Sequence, residues 1–151
     1  MNESDYKDAA VTVVMNPAAS SGGAARRWPA IEMALNRDFS NLTVVKTNAP
    51  GHATALCQSA LESGAEIIVS VGGDGTNNEV LSGFVDEEGN NRFPDRMLGL
   101  VAAGTVALIV MPIINFMSAG AVSTDDDGTG GFALLHGSDI HYYLRGMCAP
   151  T

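Results

Sequence analysis

EIIVSVGGDGTNNEV (residues 66–80) opens as a solid apolar run and breaks at Gly72. A largely β-branched run such as 66–71 fits a strand covered on both faces, the habit of a parallel sheet. The break, Gly72-Gly73-Asp74-Gly75, leads into a segment with helical character from 77 to about 84. Thr76 and Glu79 have the spacing of a capping box at its start. A strand that runs through glycines into a helix gathers free main-chain N–H groups at one point, and the helix dipole adds partial positive charge there. Such an end binds phosphate. Gly72, Gly73 and Gly75 are expected to allow positive φ and to keep Cβ atoms away from a close-lying anion. Asp74 suits Mg²⁺, directly or through water, or a ribose or backbone hydrogen bond, better than bare phosphate. Glu79 either caps the helix or points into the cleft. The plainer alternative is a glycine turn before a capped helix with no ligand. The stretch is not a Walker A loop, which needs Gly-Lys-Ser/Thr, nor the G-x-G-x-x-G dinucleotide fingerprint.

The same alternation of strand and helix continues on both sides. Residues 10–15 (AVTVVM) form an apolar run closed by Asn16-Pro17, a buried strand ending in a turn. Ser20-Ser21-Gly22-Gly23 reads as a loop and 24–35 as a helix, with Ile31, Ala34 and Leu35 at helical spacing. Residues 42–46 give a second strand. Ala53, Leu56, Cys57, Ala60 and Leu61 then make an amphipathic helical stripe over 53–61, which Gly64 stops. Residues 86–95 are a charged surface loop, and 98–102 are a fourth strand closed by Gly104-Thr105. Strands alternating with helices predict an α/β fold, a doubly wound and mostly parallel sheet joined by right-handed crossovers. Ligands in such sheets sit beyond the carboxyl ends of the strands. The loops after Met15, Val71 and Ala102 all fall at that edge.

Composition narrows the classes. The chain has 151 residues, 46% hydrophobic and 17% charged, with mean hydropathy +0.12. That length suits one domain with a real core, and the apolar content excludes an intrinsically disordered chain. Eight Lys plus Arg against seventeen Asp plus Glu give a net charge of −9, so a nonspecific nucleic-acid binder is excluded for want of a basic footprint. In so acidic a chain, main-chain amides can hold phosphate where the net charge would repel it. Two cysteines, Cys57 and Cys148, are too few for a disulfide scaffold and fit a reducing compartment. The polar, acidic start MNESDYKDAA argues against a secretory signal peptide.

Beyond Thr105 the pattern weakens. Residues 97–124 carry no charge, but Gly99, Gly104, Pro112, Asn115 and Gly120 interrupt them, which favours buried strand and core over a membrane span. Residues 132–135 and 140–144 are candidate short strands. His136, Asp139 and His141 read as surface residues rather than a metal site, since their spacing is unpatterned. Asp125, Asp126 and Asp127 lack the alternating ligands of a calcium loop and read as a solvated charge run. Arg26 and Arg27 follow the first glycine loop, where they either meet phosphate or face solvent.

Taken together, GGDGTNNEV, NPAASSGG (16–23), TNAPGHA (47–53) and LGLVAAGT (98–105) resemble the catalytic domain of the diacylglycerol kinase and sphingosine kinase superfamily, in the same order and spacing. The resemblance covers about residues 10–105. NAD kinases and phosphofructokinases are similar in using a GGDG-type loop, but Asn-Glu-Val and the GHA element favour the lipid kinases. The resemblance implies an NAD kinase/diacylglycerol kinase-like fold over 8–105, truncated and followed by a divergent tail, 106–151, of unassigned fold. It also implies transfer of a phosphoryl group from ATP to a lipid hydroxyl, with Mg²⁺. Carried over by position, Asn16, Pro17, Ala18, Ala19 and Ser20 form the first phosphate-side loop, and Thr47 contacts the nucleotide. Gly72, Gly73, Asp74, Gly75, Thr76, Asn77 and Asn78 form the main nucleotide loop, and Glu79 is counted with them among the cofactor-binding residues. Asp74 is the catalytic and metal-side residue, Thr105 closes the site, and His52 packs against the loop. Phosphoryl transfer, which is mostly positioning and charge neutralisation, suits such a site.

Two departures stand out. The family's AAGT segment continues as Gly-x-Asn-Asp-Phe-Ala, whereas Thr105 here is followed by VALIVMP. The family also continues into a long, mostly β second domain that completes the cleft. Three functions therefore compete: a lipid kinase acting on diacylglycerol or a sphingoid base, a non-catalytic nucleotide-binding fragment, and a small-molecule kinase of the NAD kinase kind. The expected setting is cytoplasmic, peripheral to a membrane if the chain is active. Self-association is expected through the apolar edge that an absent second domain would leave.

Overall fold

The computed structural model describes residues 7–102, 122–124 and 131–136. In chain order the elements are β1 (Ala10–Met15), α1 (Ala19–Asp38), β2 (Asn41–Lys46), α2 (His52–Glu62), β3 (Ile67–Gly72), α3 (Asp74–Ser82), β4 (Met97–Ala102), β5 (Val122–Thr124) and β6 (Gly131–His136). One sheet holds all six strands in the order β2-β1-β3-β4-β6-β5. The first four are mutually parallel, and β6 then pairs antiparallel with β4 and with β5. The α/β, doubly wound and mostly parallel class read from the sequence is what the chain adopts. Two segments of the tail thus extend the same sheet; the candidate strand at 140–144 lies outside the described residues, as do Asp125, Asp126, Asp127, Asp139 and His141. Among the described residues, no helix is long and apolar enough to cross a membrane.

The alternation of side chains along β1 and β3 divides the core in two. Val11, Val13 and Met15 share one face with Ile67, Val69 and Val71, covered by Trp28 and Leu35 of α1. Val14 and Ile68 point to the other face, where Ala53, Cys57 and Leu61 of α2 and Val80 and Leu81 of α3 pack with Phe84. Each strand is therefore apolar at most successive positions because both of its faces are buried, with Thr12 and Ser70 the buried polar exceptions. The chain leaves β1 toward β2 and later crosses back to place β3 on the other side of β1. The carboxyl ends of β1 and β3 thus flank the topological switch point, where such sheets bind ligands.

Helix starts follow the sequence reading in one place and depart from it in another. Ser20, Ser21 and Gly22 have left-handed backbones (φ 55°, 53° and 81°), so the first turn of α1 is a loop, and the regular helix follows it. Helix α3 begins at Asp74 rather than near 77, with Gly73 as its N-cap. The glycines therefore form the helix start instead of a separate turn, and the Thr76–Glu79 capping box does not form.

At the end of α3, Gly83 lies against α2: a Cβ there would meet Cys57 Cβ at 2.7 Å and Cys57 Sγ at 2.8 Å. Cys57 is fully buried, and burial pushes its thiol from an ordinary value of 9.0 up to about 12. Between those values the unfolded chain gives up this proton and the folded chain keeps it, so stability is full below pH 9 and falls as pH rises toward 12. The slope from this one group approaches about 1.4 kcal/mol per pH unit. In Cys57→Ala the decline should be shallower by that amount, read from urea midpoints compared at about pH 8 and pH 10. Equal slopes in the two proteins would show that the thiol does not contribute.

Candidate active site

Three loops meet at the carboxyl edge of the sheet. The loop after β1 brings Asn16, Pro17, Ala18, Ala19 and Ser20; the loop after β2 brings Thr47, Asn48, Ala49 and Pro50; and the start of α3 brings Gly73, Gly75, Thr76 and Glu79. They line a cleft of about 600 Å³. That volume lies within the range of roughly 300–1,000 Å³ usual for small-molecule sites.

Asn16 ties the switch point together. Its backbone N–H donates to the Val71 carbonyl at 2.9 Å, across from β1 to β3. Its side-chain Nδ2 donates to Thr76 Oγ1 at 3.0 Å, and its Oδ1 accepts the Ala18 N–H at 3.0 Å. One side chain therefore shapes the first loop as an Asx turn and fixes it to α3. Asn followed by Pro suits this position, because Pro17 sets φ and the Asn side chain closes the turn.

The first intrahelical bond of α3 runs from Asn77 N–H to Gly73 C=O, 3.0 Å. The N–H groups ahead of Asn77 have no intrahelical acceptor and carry the positive end of the helix dipole. The role of the glycines differs from the expectation of positive φ. Gly72, Gly73 and Gly75 are absent from the positive-φ residues. Gly72 is required for space instead, since a Cβ there would lie 2.5 Å from both Thr76 Cβ and Thr76 Oγ1. The close approach seats α3 directly on the end of β3.

The remaining sequence-predicted residues divide by position. Asp74 is exposed in the first turn of α3, outside the cleft lining, and its carboxylate has no partner among the described residues. Asn78 is exposed and also outside the lining. Asn77 turns inward, where its Oδ1 accepts a hydrogen bond from the fully buried Ser70 hydroxyl at 2.7 Å. Thr105 lies outside the described residues. Among the described residues, no group of three His, Cys, Asp or Glu side chains could by itself hold a metal ion.

Glu79 does cap a helix, but the neighbouring one. Its Oε1 accepts the Gly51 N–H at 2.8 Å and its Oε2 accepts the Ala53 N–H at 3.2 Å, at the N-terminus of α2. Gly51 is the N-cap of α2 with φ 81°, and it supplies no side-chain cap of its own. His52, expected to pack on the loop, accepts the Asn48 N–H at Nδ1, 3.3 Å. Arg26 donates to the Ser21 carbonyl at 3.3 Å and so braces the left-handed turn. Asn48, Ala49 and Pro50 were missed as cleft residues by sequence reasoning, although their place directly after a strand at the ligand edge is the signal that would have found them.

The sheet order and the cleft define a doubly wound α/β domain with a cleft at the β1/β3 switch point. The family model described as "Diacylglycerol kinase catalytic domain" matches residues 10–112, and the chain belongs to that family. A diacylglycerol kinase of Staphylococcus haemolyticus (strain JCSC1435) is 32% identical over 95 residues, which are 62% of this chain and 27% of that protein. A diacylglycerol kinase of Staphylococcus saprophyticus is 28% identical over 95 residues, 62% of this chain and 29% of that one. A solved structure from Bacillus anthracis str. Sterne, assigned as a diacylglycerol kinase, superposes with a TM-score of 0.57 at 28% identity, covering 70% of this chain and 33% of its own. The chain thus spans about a quarter to a third of the length of these relatives.

Proposed function

We propose that this chain is the nucleotide-binding part of a lipid kinase, which holds ATP in the β1/β3 cleft for phosphoryl transfer to a lipid hydroxyl such as that of diacylglycerol or a sphingoid base. The observation that carries this reading is the convergence of three loops on one cleft with the uncapped N-terminus of α3 on its wall. The first-turn N–H groups of α3 would receive phosphate oxygens, a pairing that the net charge of −9 does not prevent because main-chain dipoles are local. Asn16 and Thr76, bonded to each other, hold the two phosphate-side loops at a fixed separation. Such positioning is the main demand of phosphoryl transfer.

Mg²⁺ fits the donor set in one way. Glu79 is committed to α2, which leaves the free Asp74 carboxylate as the protein ligand beside the α3 N-terminus, and Mg²⁺ commonly takes one or two carboxylates plus substrate phosphates. Bound there, the ion would neutralise phosphate charge during transfer. The cell setting that follows is the cytoplasm, at a membrane surface that presents the lipid.

The test is Mg-ATP binding by calorimetry, alongside a γ-phosphate transfer assay with diacylglycerol in mixed micelles. Binding together with transfer that is lost in Asp74→Asn by at least about a hundredfold supports the kinase reading. Binding without transfer to any lipid selects a non-catalytic nucleotide-binding module. Phosphorylation of NAD instead of lipid selects the small-molecule kinase. Absence of binding at millimolar Mg-ATP removes the nucleotide reading.

A further inference from the structure

We propose that Glu79 is a positioning residue that orders the 48–50 wall of the cleft through the N-terminus of α2, without itself touching the nucleotide. Helix α2 receives no cap from its own N-cap residue, Gly51. The Glu79 carboxylate, arriving from α3, takes that place with two bonds, 2.8 Å to Gly51 N–H and 3.2 Å to Ala53 N–H. A second link runs back, since Thr54 Oγ1 donates to the Glu79 carbonyl at 2.8 Å. From the capped turn the connection continues into the cleft wall. His52 N–H donates to the Ala49 carbonyl at 3.2 Å, and the Asn48 N–H donates to His52 Nδ1 at 3.3 Å. Asn48 and Ala49 of the wall are thus both bonded to His52 at the α2 start, whereas the Thr47 N–H is anchored to the Met15 carbonyl of β1 at 2.9 Å, so it is the position of 48–50 that depends on where Glu79 holds residues 51–53.

The chemistry argues against a direct ligand role, although Glu79 borders the cleft. An ionised carboxylate only accepts hydrogen bonds, and here both oxygens already do so. Set beside a triphosphate it would add like charge. Seated on two helix N-terminal amides, it instead satisfies orphan donors and sits at the favourable end of a dipole. The inference rests on the nucleotide reading only in its last step, from wall to affinity.

The experiment compares the full chain with Glu79→Gln, Glu79→Ala and, as a control, Glu62→Gln. Glu62 is an exposed residue at the far end of α2, paired with Arg92 at 3.1 Å. Site-resolved amide exchange is read at Gly51, Ala53 and Asn48, and Mg-ATP affinity is read by calorimetry. Asn48 is the decisive amide because it makes no bond to Glu79. In Glu79→Ala, all three amides should exchange about tenfold faster, as expected when charge-assisted bonds are removed from a local structure. Mg-ATP affinity should fall about tenfold with them. Glu79→Gln keeps the shape and one acceptor, so it should recover part of both effects and covers the case in which the alanine variant folds poorly. Glu62→Gln should match the unmodified chain in every reading.

Faster exchange at Gly51 and Ala53 with Asn48 unchanged would make the cap purely local and overturn the proposal. Lost affinity with exchange unchanged at all three amides would make Glu79 a direct ligand and overturn it equally. If the unmodified chain binds no nucleotide, the kinase reading fails, while Asn48 exchange still decides whether Glu79 orders the wall.

Discussion

Gly72→Ala should destabilise the chain by about 3 kcal/mol and open the candidate site at the same time. The new Cβ would sit 2.5 Å from Thr76 Cβ and Oγ1 and 2.8 Å from Thr76 Cγ2. A Thr Cβ is fixed by the helix backbone, so no change of rotamer relieves the overlap, and α3 must move away from the end of β3. Moving α3 stretches the 3.0 Å bond between Asn16 and Thr76, the contact that holds the first loop to the helix. Thr76→Ala, which keeps the Cβ, should not rescue the variant. Thr76→Gly should recover the steric part, less about 1 kcal/mol for glycine within a helix. Denaturant midpoints of Gly72→Ala and of the two double variants decide the matter. A Gly72→Ala protein as stable as the original would show that α3 does not need its close seat.

Phe84→Ala should cost about 3–5 kcal/mol. Among the described residues Phe84 is the largest fully buried side chain, and it belongs to the cluster that joins α2, α3 and the sheet. Its backbone is held by the Leu81 carbonyl at 3.0 Å and holds the Arg92 N–H at 2.8 Å, so the loop cannot readily collapse into the space left behind. At about 2–4 °C per kcal/mol for a domain of this size, the melting temperature should fall by roughly 10 °C. Typical domains have only about 5–15 kcal/mol in total, so the loss would remove a large share of the stability. A loss under about 1 kcal/mol would place Phe84 outside the cooperative core.

Much of the architecture was legible because burial on both faces leaves a direct imprint on composition. The runs at 10–15 and 66–71 are mostly apolar on both alternating sets of positions, and each corresponds closely to a strand that separates the two halves of the core. The loops at the ligand edge were legible for a related reason: glycine, asparagine and proline mark where a parallel strand must turn. What misled was local chemistry read without neighbours. Thr76 and Glu79 have capping-box spacing, yet Gly73 begins the helix and Glu79 finds its amides on α2, 26 and 28 positions away. The glycines of the 72–75 loop suggested unusual backbone angles, whereas the demand on Gly72 is lack of room beside Thr76.

The order of residues alone determined the strand–helix alternation, the parallel sheet and the family, because periodicity and short-range turn chemistry are properties of neighbours along the chain. The folded molecule decided which loops share a cleft, that Asn16 bonds to Thr76 across 60 positions, and that an acidic side chain of one helix caps another. Those choices depend on which strands lie side by side and how closely two helices approach. Such distances are fixed only when the two faces of the sheet are packed.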